Sequence, residues 1–104
     1  MLYVLTLHYI RPPEEIQLHL DSHRQWLARH IRAGRILVAG RSEDRTGGVV
    51  IASCEGRDEL DRMIADDSFV IHELVQVSVQ SFEPAVCAHG LPQGWASNAA
   101  VVKP

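Results

Sequence analysis

Residues 34–54, GRILVAGRSEDRTGGVVIASC, hold two short apolar runs, Ile36 to Ala39 and Val49 to Cys54, separated by a polar stretch rich in turn formers. Runs this short, closed by glycine and by small or acidic residues, have the length of strands and not of helices. Gly40 ends the first run, and Glu43-Asp44-Arg45-Thr46-Gly47-Gly48 reads as the turn into the second, so the segment predicts an antiparallel hairpin. What flanks that hairpin decides the fold. Upstream, Pro13-Glu14-Glu15 opens a helix, because a proline in the first turn loses no needed donor and acids suit the positive helix end. The spacing predicts that helix over 13–33, with Gly34 as its stop. Downstream, Asp58 is placed to cap a short helix carrying Leu60, Met63 and Ile64, which ends at Asp66-Asp67-Ser68.

Strands close both ends of this core. Residues 2–9 alternate, with Tyr3, Leu5, Leu7 and Tyr9 on one face and Leu2, Val4, Thr6 and His8 on the other. Val75, Val77 and Val79 alternate with Gln76, Ser78 and Gln80 in the last strand. The order β-α-β-β-α-β predicts an α+β, ferredoxin-like sandwich: one antiparallel sheet with both helices on one face. Apolar residues on both faces of the first strand call for a cover on the second face, and a second subunit supplying its own sheet is the simplest. The expectation is a homodimer built as a dimeric α/β barrel. Beyond Glu83, Gly90, Pro92, Gly94, Ser97 and Asn98 interrupt any period, so residues 1–84 are read as the domain and 85–104 as an irregular extension, with Trp95 its candidate anchor.

At 104 residues, 46% apolar and 22% charged, the chain has the size and composition of one globular domain. Ten Lys and Arg against thirteen Asp and Glu give a net charge of −3, with the basic residues scattered; a nucleic-acid partner is not expected. No apolar run is long enough to span a bilayer, so no membrane partner is expected either. The first residues lack a basic region and cleavage site, from which a cytoplasmic location is expected. There Cys54 and Cys87 are expected to remain free thiols.

Chemistry concentrates on the first helix. Ile16, Leu20, Leu27 and Ile31 mark an apolar seam, and position 23, which belongs in that seam, holds a histidine. A histidine there is either a satisfied core residue bonded to a backbone carbonyl or a working acid/base group facing a cavity. Asp67 is either a cap on the turn that follows it or the partner that fixes the tautomer of His23. His19 and His23 have the spacing of a metal pair, yet no third ligand has a compelling position, so no metal is expected; His19 and His30 are expected to flank the seam half exposed. No phosphate loop and no nucleophile elbow occurs.

The central His23, the segment Gly34-Arg-Ile-Leu-Val-Ala-Gly40 and the segment Asp67-Ser-Phe-Val70 together resemble the YCII-related (YciI-like) family over about residues 1–84. That family usually shows Gly-Arg-Leu-Leu-x-Ala-Gly-Pro and Asp-Pro-Phe/Tyr at these places, so Arg41 and Ser68 depart from it where it carries proline. The resemblance implies a ferredoxin-like fold that dimerises as an α/β barrel, and a pocket with a catalytic pair that maps onto His23 and Asp67. Leu5, Leu7, Gly40 and Phe69 are the residues expected to line that pocket and bind substrate. The function expected is a lyase- or hydrolase-type small-molecule enzyme using the His/Asp pair, without metal or organic cofactor. Its substrate would be a cyclic or aromatic hydroxylated compound undergoing elimination, hydrolysis or isomerisation. The alternatives are a non-catalytic ligand-binding or accessory module using the same pocket, and, by fold analogy alone, a cofactorless monooxygenase.

Overall fold

The computed structural model describes residues 1–92 and 94–104. Strand β1 (Leu2–Tyr9) is followed by helices α1 (Pro13–Leu18) and α2 (Leu20–Arg32), strands β2 (Ile36–Arg41) and β3 (Gly47–Ser53), helices α3 (Arg57–Ala65) and α4 (Ser68–Ile71), and strand β4 (Val75–Phe82). The four strands form one sheet in the order β2-β3-β1-β4, with every neighbouring pair antiparallel. This is the α+β, ferredoxin-like architecture.

Register explains the core. Leu5 lies opposite Val50 on one side and Val79 on the other, and Leu7 opposite Gly48 and Val77, so these residues share the helix-covered face. Tyr3, Leu5, Leu7, Ile36, Val50 and Ala52 are buried there against Trp26, Leu60, Met63 and Phe69. The opposite face carries Val4, Val38, Val49, Ile51 and Phe82 among Thr6, Gln76, Ser78 and Gln80. On this face Val38 remains 58% and Phe82 44% exposed.

Four expectations are corrected. The single helix over 13–33 is two, because the chain tightens at His19 (φ −112°, ψ 10°) into a three-residue bond from its N–H to the Ile16 carbonyl. The interruption shifts the phase of α2, so the seam does not run on to Ile31, which is 47% exposed; Trp26 at 2% and His30 at 6% are the residues turned into the core. Asp58 is no cap: α3 starts from Gly56 without a side-chain cap, and Asp58 and Glu59 sit in the first turn. Finally, the extension contains β5 (Val86–Ala88) paired in parallel with β6 (Ala100–Val102), with Trp95 half-buried.

The central hairpin is tighter than the sequence implies, since β2 continues through Gly40 to Arg41 and β3 starts at Gly47. The turn is held by Asp44, whose Oδ1 accepts from Ser42 Oγ (2.9 Å), Thr46 Oγ1 (2.8 Å) and Thr46 N (3.1 Å). These donors hold its carboxyl below the usual carboxylate range. Gly47 is required by contact: a Cβ there would lie 1.7 Å from the Leu7 carbonyl oxygen, which is backbone and cannot swing away. Gly47→Ala must therefore push β3 off β1, and a loss of about 1–3 kcal/mol is expected in urea unfolding. The amides of Tyr9, which donates to the Thr46 carbonyl, and of Leu7, which faces β3 in the same alternation, should show faster hydrogen exchange; unchanged exchange there would contradict the close strand approach.

Candidate active site

At about 100° per residue, Trp26, His30 and His23 fall within about 60° of one another on α2, while Leu27, Leu20 and Arg24 occupy the next ~100°. The first arc packs on the sheet and the second borders a cavity of about 590 Å³ between α1, α2 and the β2–β3 hairpin. His23 stands at the boundary of the two. Its ring is held flat: it stacks on Phe69 with centroids 3.9 Å apart and planes 3° from parallel, and on Trp26 at 5.5 Å.

Asp67 reaches this ring from the junction of α3 and α4. Its N–H donates to the Ile64 carbonyl (3.1 Å), and its extended backbone makes it the cap of α4, with Oδ1 accepting from the Phe69 N–H at 3.1 Å. The same Oδ1 lies 2.7 Å from His23 Nδ1. The capping reading and the pairing reading thus describe one oxygen with two donors. Asp67 is 1% exposed, and Oδ2 has no hydrogen-bond partner among the described residues. A carboxylate this buried carries a desolvation cost of several kcal/mol, which only close donors offset. With Nδ1 donating to Asp67, the other ring nitrogen, Nε2, is left with its lone pair in the neutral tautomer. Nε2 has no hydrogen-bond partner among the described residues, and His23 borders the cavity.

Of the residues expected to bind substrate, Leu7, Gly40 and Phe69 border the cavity with His23. Leu5 does not: at 1% exposure it lies inside the core beneath the helices. His19 is engaged elsewhere, its ring stacked on His72 at 3.9 Å, and no group of three or more potential metal ligands occurs among the described residues. Ser22 Oγ donates to Ser68 Oγ (2.8 Å), tying α2 to α4 beside the pair. Both cysteines are free, and burial pushes the Cys54 thiol up to about 11, with Glu59 adding to the effect, which removes it as a nucleophile.

His30, expected half exposed, is buried. Arg35 Nε donates to its Nδ1 (2.9 Å), and Nε2 lacks a partner, with Asp66 Oδ2 3.8 Å away. Burial, then the Arg35 and Arg29 charges, push its pKa below 6.5 against the weaker pull of Asp66. The unfolded chain therefore binds this proton first, and stability should fall as pH drops through 6.5, levelling only below the folded pKa. Urea midpoints measured across that range should slope in the wild type and flatten in His30→Gln; parallel slopes would refute the assignment.

Residues 1–83 match the family model of the YCII-related domain. The 5-chloro-2-hydroxyhydroquinone dehydrochlorinase of Burkholderia phenoliruptrix AC1100, solved in complex with 2,5-dihydroxybenzoquinone, is similar at TM-score 0.62 and 22% identity, over 82% of this chain and 96% of that one. A structure described as an antibiotic biosynthesis monooxygenase is similar at TM-score 0.55 and 19% identity, over 81% of this chain and all of that one (100%). At these identities the likeness is one of fold. A comparison with curated proteins found no match. No helix among the described residues is long and apolar enough to cross a membrane.

Proposed function

The chain belongs to the YCII-related domain family, and from that premise we propose that it is a small-molecule enzyme in which His23 moves a proton and Asp67 holds it in register. The observation that carries this reading is the 2.7 Å contact between Nδ1 and a carboxylate oxygen that is itself fixed by the α4 cap, on a histidine bordering a cavity. In this reading Nε2 is the base. It takes a proton from a bound cyclic or aromatic hydroxylated compound, and the imidazolium so formed is stabilised by Asp67 until the proton is returned to the product or leaving group. Phe69 and Trp26 keep the ring from turning away. Elimination suits this machinery best, since one base serves both proton removal and departure of an acidic leaving group. The dehydrochlorinase of similar fold supports that choice. No step needs a metal or an organic cofactor.

The sheet face left open in one chain is proposed to pack on that of a second copy, giving the homodimeric barrel. Sedimentation at micromolar concentration is expected to give the dimer mass, and a clean monomer would remove that part of the reading.

The enzymatic reading is tested by incubating the wild type with a panel of chlorinated and unsubstituted polyhydroxybenzenes and their quinones, following absorbance and chloride release. Turnover of at least one member is expected. Binding of panel members at the His23 cavity with no turnover of any would favour the second reading, a ligand-binding module, for which the same preformed cavity would serve as receptacle.

A further inference from the structure

Four of the chain's ten basic residues, Arg11, Arg24, Arg41 and Arg45, border the His23 cavity, and no aspartate or glutamate borders it. In a chain of net charge −3 this is not a default of composition. The four come from separate segments: the β1–α1 loop, α2, the end of β2 and the β2–β3 turn. Of the other arginines, Arg29 pairs with Asp66 at 2.6 Å and Arg57 with Asp61 at 2.9 Å, whereas Arg32, Arg35 and Arg62 have no ion-pair partner among the described residues. Around the cavity none of the four has an ion-pair partner among the described residues, and Arg11 reaches only the adjacent Ile10 carbonyl. Asp44, next to Arg45 in sequence, has its Oδ1 taken by Ser42 and Thr46. Like charges gathered around one opening repel each other unless an anion sits among them.

Beneath this rim the lining is apolar: Leu7, Ile16, Leu20, Leu27, Val50 and Phe69. Guanidinium groups match planar oxyanions in two-point contacts, and an apolar floor matches the face of a ring. A volume of about 590 Å³ suits a small ligand. We propose that the cavity takes a small cyclic organic anion, with a carboxylate or phenolate oxyanion on the arginine rim and its ring on the apolar floor beside His23. This rests on the reading of the cavity as a substrate site and names the class of substrate. It also adds a function for the rim: removing a proton from such a ligand builds further negative charge, which the same guanidinium groups are placed to stabilise.

The test uses two pairs of probes that differ in charge and little in shape, benzoate against benzamide and para-nitrophenolate against para-nitroanisole. Each is titrated into the full chain by NMR at a pH where the phenol is ionised. The anion of at least one pair should shift the His23 and Phe69 signals and bind about tenfold more tightly than its neutral partner, losing affinity with added salt. A preference in the first pair alone assigns the carboxylate, and in the second alone the ring oxyanion. Arg24→Gln and Arg41→Gln should each weaken the anion about 3- to 5-fold and leave the neutral probe unchanged, whereas Arg62→Gln, exposed on α3, should change neither. Equal affinities within both pairs, absence of anion binding, or anion binding unmoved in both rim variants overturns the proposal. Because binding is read without turnover, an anion preference in a protein that turns nothing over would keep this inference and remove the enzymatic reading. Turnover of neutral rings without an anion preference would do the reverse.

Discussion

His23→Gln is expected to lower turnover of whichever ring compound the wild type accepts by about 10²–10⁴-fold, the usual contribution of a positioned acid/base group. Binding of that compound should change little. Asp67→Asn should cost far less, about tenfold, and the reason is geometric. Oδ1 receives both the Phe69 N–H and His23 Nδ1–H, so an asparagine must place its carbonyl oxygen there, because the flipped amide would set its NH2 against the Phe69 N–H donor. The tautomer is then retained and only the charge is lost. A charge-assisted hydrogen bond exceeds a neutral one by roughly 1–1.5 kcal/mol, which converts to that tenfold. Asp66→Asn is the control, because Asp66 is exposed and paired with Arg29 away from the ring. Turnover unaffected by His23→Gln would remove the proton-transfer mechanism. A full-sized effect of His23→Gln with none from Asp67→Asn would mean that no imidazolium forms in the slow step.

The parts of the fold set by strand alternation and turn chemistry were legible in the sequence. The alternation in β1 and β4 and the polar break at 42–46 are local signals, and they suffice for a four-stranded sheet with the hairpin between the helices. The helix phase was not legible, because the tightening at His19 involves neither proline nor glycine. The pattern Ile16, Leu20, His23, Leu27, Ile31 looks continuous through it, yet in α2 the residues facing the sheet are Trp26 and His30. Position 23 stands out on either phase, since it lies where the buried arc meets the cavity. For Asp67 the residues left capping and pairing open, and the family resemblance favoured the pair, as its reach depends on the turn between α3 and α4, and α4 is too short to announce itself by periodicity. The arginine rim was invisible for a related reason. Its members are spread along the chain from Arg11 to Arg45, and only folding brings them around one opening.

Trp26→Ala is expected to be the most destabilising single change in the chain, by about 3–5 kcal/mol. The indole is 2% exposed, and its Nε1–H donates to the Met63 carbonyl at 2.9 Å, bonding α2 to α3 inside the core. Truncation opens a cavity and leaves that carbonyl with the Asp66 N–H, at 3.2 Å, as its remaining donor. For a domain of this size the loss corresponds to a fall in Tm of about 15–30 °C, a large part of a total stability on the order of 5–15 kcal/mol. Trp26→Phe separates the two contributions, since it keeps most of the volume and removes only the donor; about 0.5–1.5 kcal/mol is expected from the lost hydrogen bond, because the Met63 carbonyl keeps the Asp66 N–H. Thermal and urea unfolding of both variants give the comparison. The variants also bear on the site, because the Trp26 ring, like that of Phe69, is stacked on His23. In Trp26→Phe the His23 ring signals should move and broaden while the fold persists, which ties the packing of α2 directly to the orientation of the base. A Trp26→Ala variant within about 1 kcal/mol of the wild type would contradict the helix phase itself, for a tryptophan on the solvent side of α2 is the one arrangement in which its loss costs so little.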